Sequence, residues 1–503
     1  MRTSGSVVKH TLANFGGLMI PAIVGVLSLP TIKDGYGTAG WGLLSLIIYV
    51  LLSAVMFDFG VGLGTTKFVS MALKQRDGQS IPDLLGAALT IAFTVGSVVG
   101  LALAAISPFL GTWLNVPQAY QDQVVPICIA LGATIPVVTV GAIFRSLLEA
   151  AQRFDLMNLV KVPTSTILIL IPLVGVFAGW SLITVTILFA VARVLALGSY
   201  AALAVSVYDG LRPRWNNLNA NARKLLGFGG WVSVSNILNP VVTHAEKLII
   251  PSFISITLLG FYTAAYEIVS RIASLPFAIA VAVFPRFSQD QASEFDVSEN
   301  SLVQRMLRLL IVMYVPVVAG FIYLGNAFLT WYFDAETALY ATSALQLLAV
   351  AFFFNSLAYI FLSAVQGLGR PDLKAKWDMV SVPLTIGLGI GGVVLFGLDG
   401  AAASKMIVTF LDCTLLLLFL GSILKKQPSD IIPAKTLALL VVACGVFIAG
   451  FFIDGTILFR VVALAVASIL PAALYYFLWG NSDILALARD ISLPFRSSIT
   501  AED

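Results

Sequence analysis

The chain has 503 residues, 59% of them hydrophobic and only 11% charged, with a formal net charge of +3. Its mean hydropathy is +0.97. A water-soluble protein carries about 25% charged residues, so most of this surface must face lipid, and the longest polar stretches, near 208–224 and 286–305, have room only for connecting loops.

The start, Arg2 to His10 followed by apolar residues, has the look of a signal peptide. Because a dozen further apolar segments follow, it is read as the first spanning helix, retained. A span needs about 20 apolar residues. In chain order the sequence predicts fourteen, near 12–31, 40–66, 83–107, 122–143, 159–178, 180–205, 227–250, 258–284, 306–330, 340–366, 378–397, 399–424, 434–453 and 456–479. Tight turns at Gly179-Trp180 and at Gly397-Leu-Asp-Gly400 separate two of the neighbouring pairs. The expected fold is therefore all-α and polytopic.

Lys and Arg gather in alternate connections, as in Lys74/Arg76, Arg145/Arg153/Lys161, Arg212/Arg214/Arg223/Lys224, Arg286/Arg305/Arg308, Arg370/Lys374/Lys376 and Lys425/Lys426/Lys435. The intervening connections near 108–121, 251–257 and 331–339 hold none. The positive-inside rule then places the basic loops and both termini in the cytoplasm, which an even number of spans permits.

Ile143-Phe-Arg-Ser-Leu-Leu-Glu-Ala-Ala-Gln-Arg-Phe-Asp-Leu156 aligns without a gap to the run from Ile360 to Leu373, an offset of 217, with Arg153/Asp155 falling on Arg370/Asp372. Phe15-Gly-Gly17 matches Phe228-Gly-Gly230 at an offset of 213. These offsets imply a duplicated six-helix unit, giving an N-terminal lobe over 1–208, a C-terminal lobe over 209–430, and two extra helices with a tail over 431–503. Both halves start on the same side, so the lobes form a parallel, pseudo-twofold repeat with a cavity expected between them. The Arg-x-Asp pairs read first as braces of the cytoplasmic turns and second as a gate latch.

A charge at the bilayer centre costs roughly 2.5–3.5 kcal/mol even on an insertion scale. Those within predicted spans are Asp58, Lys67, Arg193, Glu246, Lys247, Glu267, Arg271, Lys405, Asp412 and Arg460. Lys67 can snorkel to the cytoplasmic surface, and Arg460 is given no role. Glu267 and Arg271 stand at i,i+4, so a self-neutralising pair is as good a reading as a functional one. Arg193 and Asp412 lie near mid-membrane with no partner on the same helix, which favours function. His244 beside Glu246 reads as an interfacial hydrogen-bonding residue before a proton carrier. Gly60, Gly62 and Gly64, with Pro21, Pro240 and Pro276, give helices 1, 2, 7 and 8 places to bend. Cys128, Cys413 and Cys444 sit in apolar runs without metal-ligand spacing, so neither a disulfide framework nor a zinc site is expected.

No catalytic constellation emerges: there is no Ser/His/Asp set, no large outer loop with paired carboxylates and no phosphate-binding loop. A nucleotide-driven pump is thereby disfavoured, and energy must come from an ion gradient or the membrane potential.

Inside termini, two six-helix lobes, Asp58-Phe-Gly60 late in helix 2 and Gln366-Gly-Leu-Gly-Arg-Pro-Asp372 after helix 10 together resemble one family. It is the polysaccharide transporter, or O-antigen flippase-like, branch of the multidrug/oligosaccharidyl-lipid/polysaccharide exporter superfamily. The resemblance spans the chain. It implies a multi-pass protein of the inner membrane that moves a polyprenyl-diphosphate-linked oligosaccharide to the outer leaflet by alternating access, without a cofactor. Its partners would be that lipid-linked substrate, membrane lipids, a coupling H+ or Na+ and polysaccharide-assembly proteins, with no nucleic acid. Arg193, Lys247, Arg271 and Lys405 would offset the diphosphate's charge. Asp58, Glu246, Glu267 and Asp412 would balance those cations or carry coupling ions. A dedicated basic triad of the lipid II flippases finds no match here. The competing readings are an ion-coupled drug/cation antiporter of the same superfamily, disfavoured by the two extra helices, and a membrane-embedded glycan polymerase or ligase, disfavoured by the missing outer loop.

Overall fold

The computed structural model describes residues 4–58, 60–75, 80–208, 211–272, 298, 301–453 and 455–480. Among them ten helices are long and apolar enough to cross a membrane, which makes the protein an all-α, multi-pass membrane protein. The end of the expected span 258–284, with Pro276, and the loop bearing Arg286 lie outside the described residues.

The described chain forms two compact units divided between Gly260 and Phe261. In the first, α1 (Ser4–Ser53) is broken at Gly37, where φ of 68° and ψ of 165° leave the helical region. A 3-10 turn over Ala54–Asp58 follows, and Gly60 turns the chain at φ 70° into α2 (Val61–Gln75). The glycine-rich segment expected to bend helix 2 therefore interrupts it. A continuous span over 40–66 is not formed, because the left-handed backbone of Gly60 cannot be carried within a helix. Then come α3 (Ser80–Trp113), α4 (Gln118–Ala150), α5 (Phe154–Ala178) and α6 (Leu182–Val207). α7 (Leu218–His244) and α8 (Glu246–Phe253) meet at Ala245, five residues beyond Pro240. α9 (Ile256–Ile272) runs from this unit into the next. Most helices extend a turn or two beyond the apolar stretch, since polar interfacial residues continue the backbone ladder.

Lipid offers no hydrophobic drive between helices, so close backbone approach and polar cross-links hold the unit together. At the α3/α4 crossing, a Cβ on Gly100 would meet the carbonyl oxygen of Gly132, and one on Gly132 would meet that of Gly100. Beside it, Thr139 Oγ1 donates to the Ala92 carbonyl at 2.8 Å. Buried Leu85, Ala88, Ile143, Leu147 and Leu148 pack with Val69 and Leu225, while Leu101, Phe109 and Phe177 lie outward, 70–78% exposed, as lipid-facing positions require.

The second unit contains α10 (Leu302–Tyr332), α11 (Ala335–Gly367) and α12 (Pro371–Leu424). α12 is broken at Gly397 (φ 61°, ψ −134°), the turn expected from Gly397 to Gly400. Its two legs touch at Gly392 and Gly400, where neither backbone leaves room for a Cβ, and Ser404 Oγ ties them by donating to Leu388 O at 2.6 Å. A short α13 (Pro428–Ile431) leads to α14 (Ala434–Phe452) and α15 (Ile457–Trp479). α14 docks on α10, where Tyr323 Oη donates to Val446 O at 2.9 Å, and α13 is tied to the same helix by Gln304 Nε2, which donates to the Ile431 carbonyl.

Candidate functional site

α5 and α12 each open on the aligned Arg-x-Asp motif. Arg153 grips Asp155 with Nη2 at 3.0 Å from Oδ2, and Arg370 grips Asp372 with Nε at 2.9 Å from Oδ1. All four side chains are at least 40% exposed. Hydrogen bonds donated to Asp372 hold the Arg370 guanidinium above its ordinary basicity, so the pair stays charged. Each clasp closes the turn in which it sits, as the brace reading describes.

In the first unit a polar seam runs between α2, α4 and α6. Tyr208, just past α6, donates to Leu147 O at 2.9 Å, which sets the ends of α4 and α6 level. One turn higher, Arg145 pairs with Glu149 across i,i+4 at 3.2 Å. Thr66 of α2 approaches the Ser146 carbonyl at 3.3 Å and Glu149 Oε2 at 3.5 Å. Tyr200 of α6 lies within electrostatic reach of Arg145, Glu149 and Arg193. Arg193, two turns above Tyr200 and near the middle of α6, keeps its Nε buried with no hydrogen-bond acceptor. Sequence reading counted Arg145 among the loop cations. Its place in the last two turns of α4, with Glu149 one turn on, was the available signal.

Glu246 and Lys247 begin α8 and are both buried at 7% exposure. Tyr49 lies within electrostatic reach of Glu246 and stacks edge-on to His244, ring centroids 5.3 Å apart. Asp58 ends the 3-10 turn, and its side chain lies outside the described residues.

In the second unit Arg271 Nη2 bridges Glu267 Oε2 at 3.0 Å, and Tyr332 lies within electrostatic reach of the guanidinium. Asp412 has no partner on its own leg of α12, but the other leg supplies two. Lys374 Nζ donates to Asp412 Oδ1 at 2.7 Å and to Asp378 Oδ1 at 2.8 Å, and Trp377 Nε1 donates to Asp412 Oδ1 at 2.8 Å. Lys374, read as a loop cation from sequence, lies a full turn inside the helix. Lys405 stands two turns before Asp412 on the same leg, its carbonyl accepting from Thr409 Oγ1 at 2.8 Å. Among the described residues no group of three or more His, Cys, Asp or Glu is placed to hold a metal ion.

A helical bundle of this kind, with charges set into its spans, defines a polytopic membrane protein. The chain aligns at a TM-score of 0.67 with the lipid II flippase MurJ in an inward closed conformation, at 15% identity, covering 93% of this chain and 99% of that one. It aligns at 0.64 with an inward-facing multidrug resistance MATE family transporter of the MOP superfamily, at 12% identity, covering 82% and 99%. Within that fold class the sequence is more particular. The model of the polysaccharide biosynthesis protein family matches residues 40–336, more than half the chain, and the protein belongs to that family. A putative O-antigen transporter of Shigella flexneri is 25% identical over 413 residues, 82% of this chain and 97% of that protein. The resemblance drawn from the Asp58-Phe-Gly60 and Gln366 to Asp372 motifs thus holds.

Proposed function

We propose that the protein is a carrier, not an enzyme, that translocates a polyprenyl-diphosphate-linked oligosaccharide from the cytoplasmic to the outer leaflet of the inner membrane. It does so by alternating access, with both termini cytoplasmic and an ion gradient or the membrane potential as driving force. Family membership and the O-antigen transporter relative support the substrate class. The observation that carries the chemistry is Arg193, a guanidinium in the middle of an apolar span whose Nε has no acceptor. Burying an unsatisfied polar group is costly, and an anionic head group supplies the missing acceptor. Lys247, Arg271 and Lys405 extend the same role, while Asp58, Glu246, Glu267 and Asp412 balance charge or take coupling ions. The duplication boundaries that accompany this reading are 1–208, 209–430 and 431–503.

Proteoliposomes test it, with a short-chain polyprenyl-diphosphate trisaccharide as probe and a sugar-oxidising reagent outside. Wild type should expose the probe to the reagent. Arg193→Ala should slow this by about 10-fold, the worth of one charge-assisted hydrogen bond. Arg193→Lys should recover part, because a point charge lacks the guanidinium fork. A wild-type protein that ignores this probe and instead extrudes a cationic dye would install the antiporter reading in its place.

A further inference from the structure

Of the Lys374 cluster only Asp412 is a candidate from sequence; Lys374 and Asp378 join it through the fold. The cluster's geometry is the tightest polar arrangement among the described spans. One ammonium serves two carboxylates from the two legs of α12, and Asp412 Oδ1 accepts both Lys374 Nζ and Trp377 Nε1. The three ionisable side chains are 18%, 5% and 19% exposed for Lys374, Asp378 and Asp412. One positive charge against two negative leaves the cluster at −1. A charge stranded within a spanning hairpin costs several kcal/mol, and two carboxylates held this close favour uptake of one further positive charge.

What can supply it is restricted by geometry. A metal cation requires several oxygen ligands around it, and here Lys374 Nζ occupies the position between the carboxylates. A proton requires one oxygen. Asp378 Oδ2 and Asp412 Oδ2 make no hydrogen bond among the described residues, so each carboxylate keeps one oxygen for it. We infer that Lys374, Asp378 and Asp412 form a proton-binding site of the second unit, at which the carboxylate pair takes up one proton and the cluster becomes neutral. Its use as the coupling site of transport rests on the carrier reading above.

The proton passes from a hydronium ion to a carboxylate oxygen, so one O–H bond forms as the hydronium O–H breaks and a water molecule is left. Lys374 then stays paired to the remaining carboxylate, and the cluster loses one of its charge-assisted bonds. The other groups facing the cluster are few. Tyr359 of α11 lies within electrostatic reach of Asp412 and Lys374, buried Cys413 adjoins Asp412, and Lys405 stands two turns away on the Asp412 leg. On the Lys374 leg, Lys376 is paired at the exposed start with Asp372 at 3.3 Å. The two acids share a donor, so the added proton belongs to the pair and to neither residue alone.

The test needs no substrate. Infrared difference spectra of the full-length protein in detergent, taken between alkaline and acidic pH, should show the C=O stretch of a protonated carboxyl group. It should weaken in Asp378→Asn and in Asp412→Asn and further in the double variant, the remainder belonging to the other carboxyl groups of the protein. Asparagine keeps a carbonyl acceptor for Lys374 and Trp377, so a merely structural tie would survive these changes. An undiminished band in the double variant overturns the site. Should the double variant not fold, indole fluorescence decides: its pH dependence should be present in wild type and absent from Trp377→Phe, and an identical pH dependence in both overturns the proposal. A separate arm in proteoliposomes imposes a proton gradient on the trisaccharide-lipid probe, where Asp412→Asn should lose stimulation by the gradient. Stimulation retained in Asp412→Asn removes the coupling role while the proton site stands. A wild type that moves no probe defeats the carrier reading alone.

Discussion

Gln152 and Gly369, 217 residues apart, hold the same left-handed backbone, with φ of 56° and 76°. Around them the hydrogen bonds repeat one for one. Gln152 N donates to Glu149 O at 2.9 Å and Gly369 N to Gln366 O at 3.0 Å; Arg153 N donates to Leu148 O at 2.9 Å and Arg370 N to Val365 O at 3.1 Å. Every partner keeps the offset read from the sequence. The match between the two turns is thus written in backbone geometry as well as in residue identity. One copy uses the residue that the conformation favours and the other does not. Gly369→Ala should lower the midpoint of thermal unfolding by the equivalent of about 1 kcal/mol, because left-handed backbone brings a Cβ against the carbonyl. Gln152→Gly should not lower it. Melting of the two purified variants checks the pair, and equal losses in both would mean the turn tolerates any residue.

The α3/α4 crossing makes a sharper demand. A methyl on Gly132 would have to displace the backbone of Gly100, so Gly132→Ala should cost about 1–3 kcal/mol, the range for overpacking, and reduce the yield of monodisperse protein. Gly198 of α6 has nothing within 4 Å of a Cβ position. Gly198→Ala should therefore be silent or stabilising, since alanine is the better helix former. Size-exclusion profiles of the two variants side by side distinguish a crossing constraint from a general intolerance of alanine.

Most span positions, the turn at Gly397 and the matched turns at Gln152 and Gly369 were readable from sequence because apolar runs, glycine punctuation and matched polar residues are local signals. The polar clusters were not. Asp412 reads as isolated on its own leg, and only the fold-back at Gly397 brings Lys374 and Trp377 to it. Arg145 and Lys374 reside near helix ends, where a cation is equally compatible with a loop, an anchor or a site. Glu267 and Arg271 were the exception, because i,i+4 spacing predicts contact without knowledge of the fold.

That pair invites a double-mutant measurement. If Arg271 serves only to neutralise Glu267, then Glu267→Gln/Arg271→Gln should restore translocation lost in either single variant. We expect no restoration, with the double variant as slow as Arg271→Gln in the proteoliposome assay. Wild-type rates in the double variant would remove Arg271 from the substrate residues.

Orientation can be read with single cysteines and an impermeant thiol reagent. Asn115 holds a left-handed turn and Asp334 caps α11 by accepting from Thr337 N at 2.7 Å, so their exposed neighbours Gln118 and Glu336 are the better probes. Both should react from outside, and Asn216, in the loop before α7, should react only after permeabilisation. The opposite pattern would invert the direction of transport.

The terminal helices owe their position to a buried cation. Arg308 of α10 is fully buried, and its guanidinium carbon lies 4.6 Å from the ring centroid of Trp479 at the end of α15. One turn earlier, Gln304 accepts from Thr436 Oγ1 of α14 at 3.1 Å, so a single face of α10 engages both added helices. A desolvated cation–π contact is worth about 2 kcal/mol. Removing either partner alone loses that contact, so Trp479→Leu and Arg308→Met should each lower the unfolding midpoint. The double variant should be less destabilised than the sum of the two, with a coupling of about 2 kcal/mol. Unfolding midpoints of the four proteins, measured in one detergent, supply the cycle. Strictly additive losses would mean that ring and guanidinium act independently, and that α15 is held by its apolar packing alone.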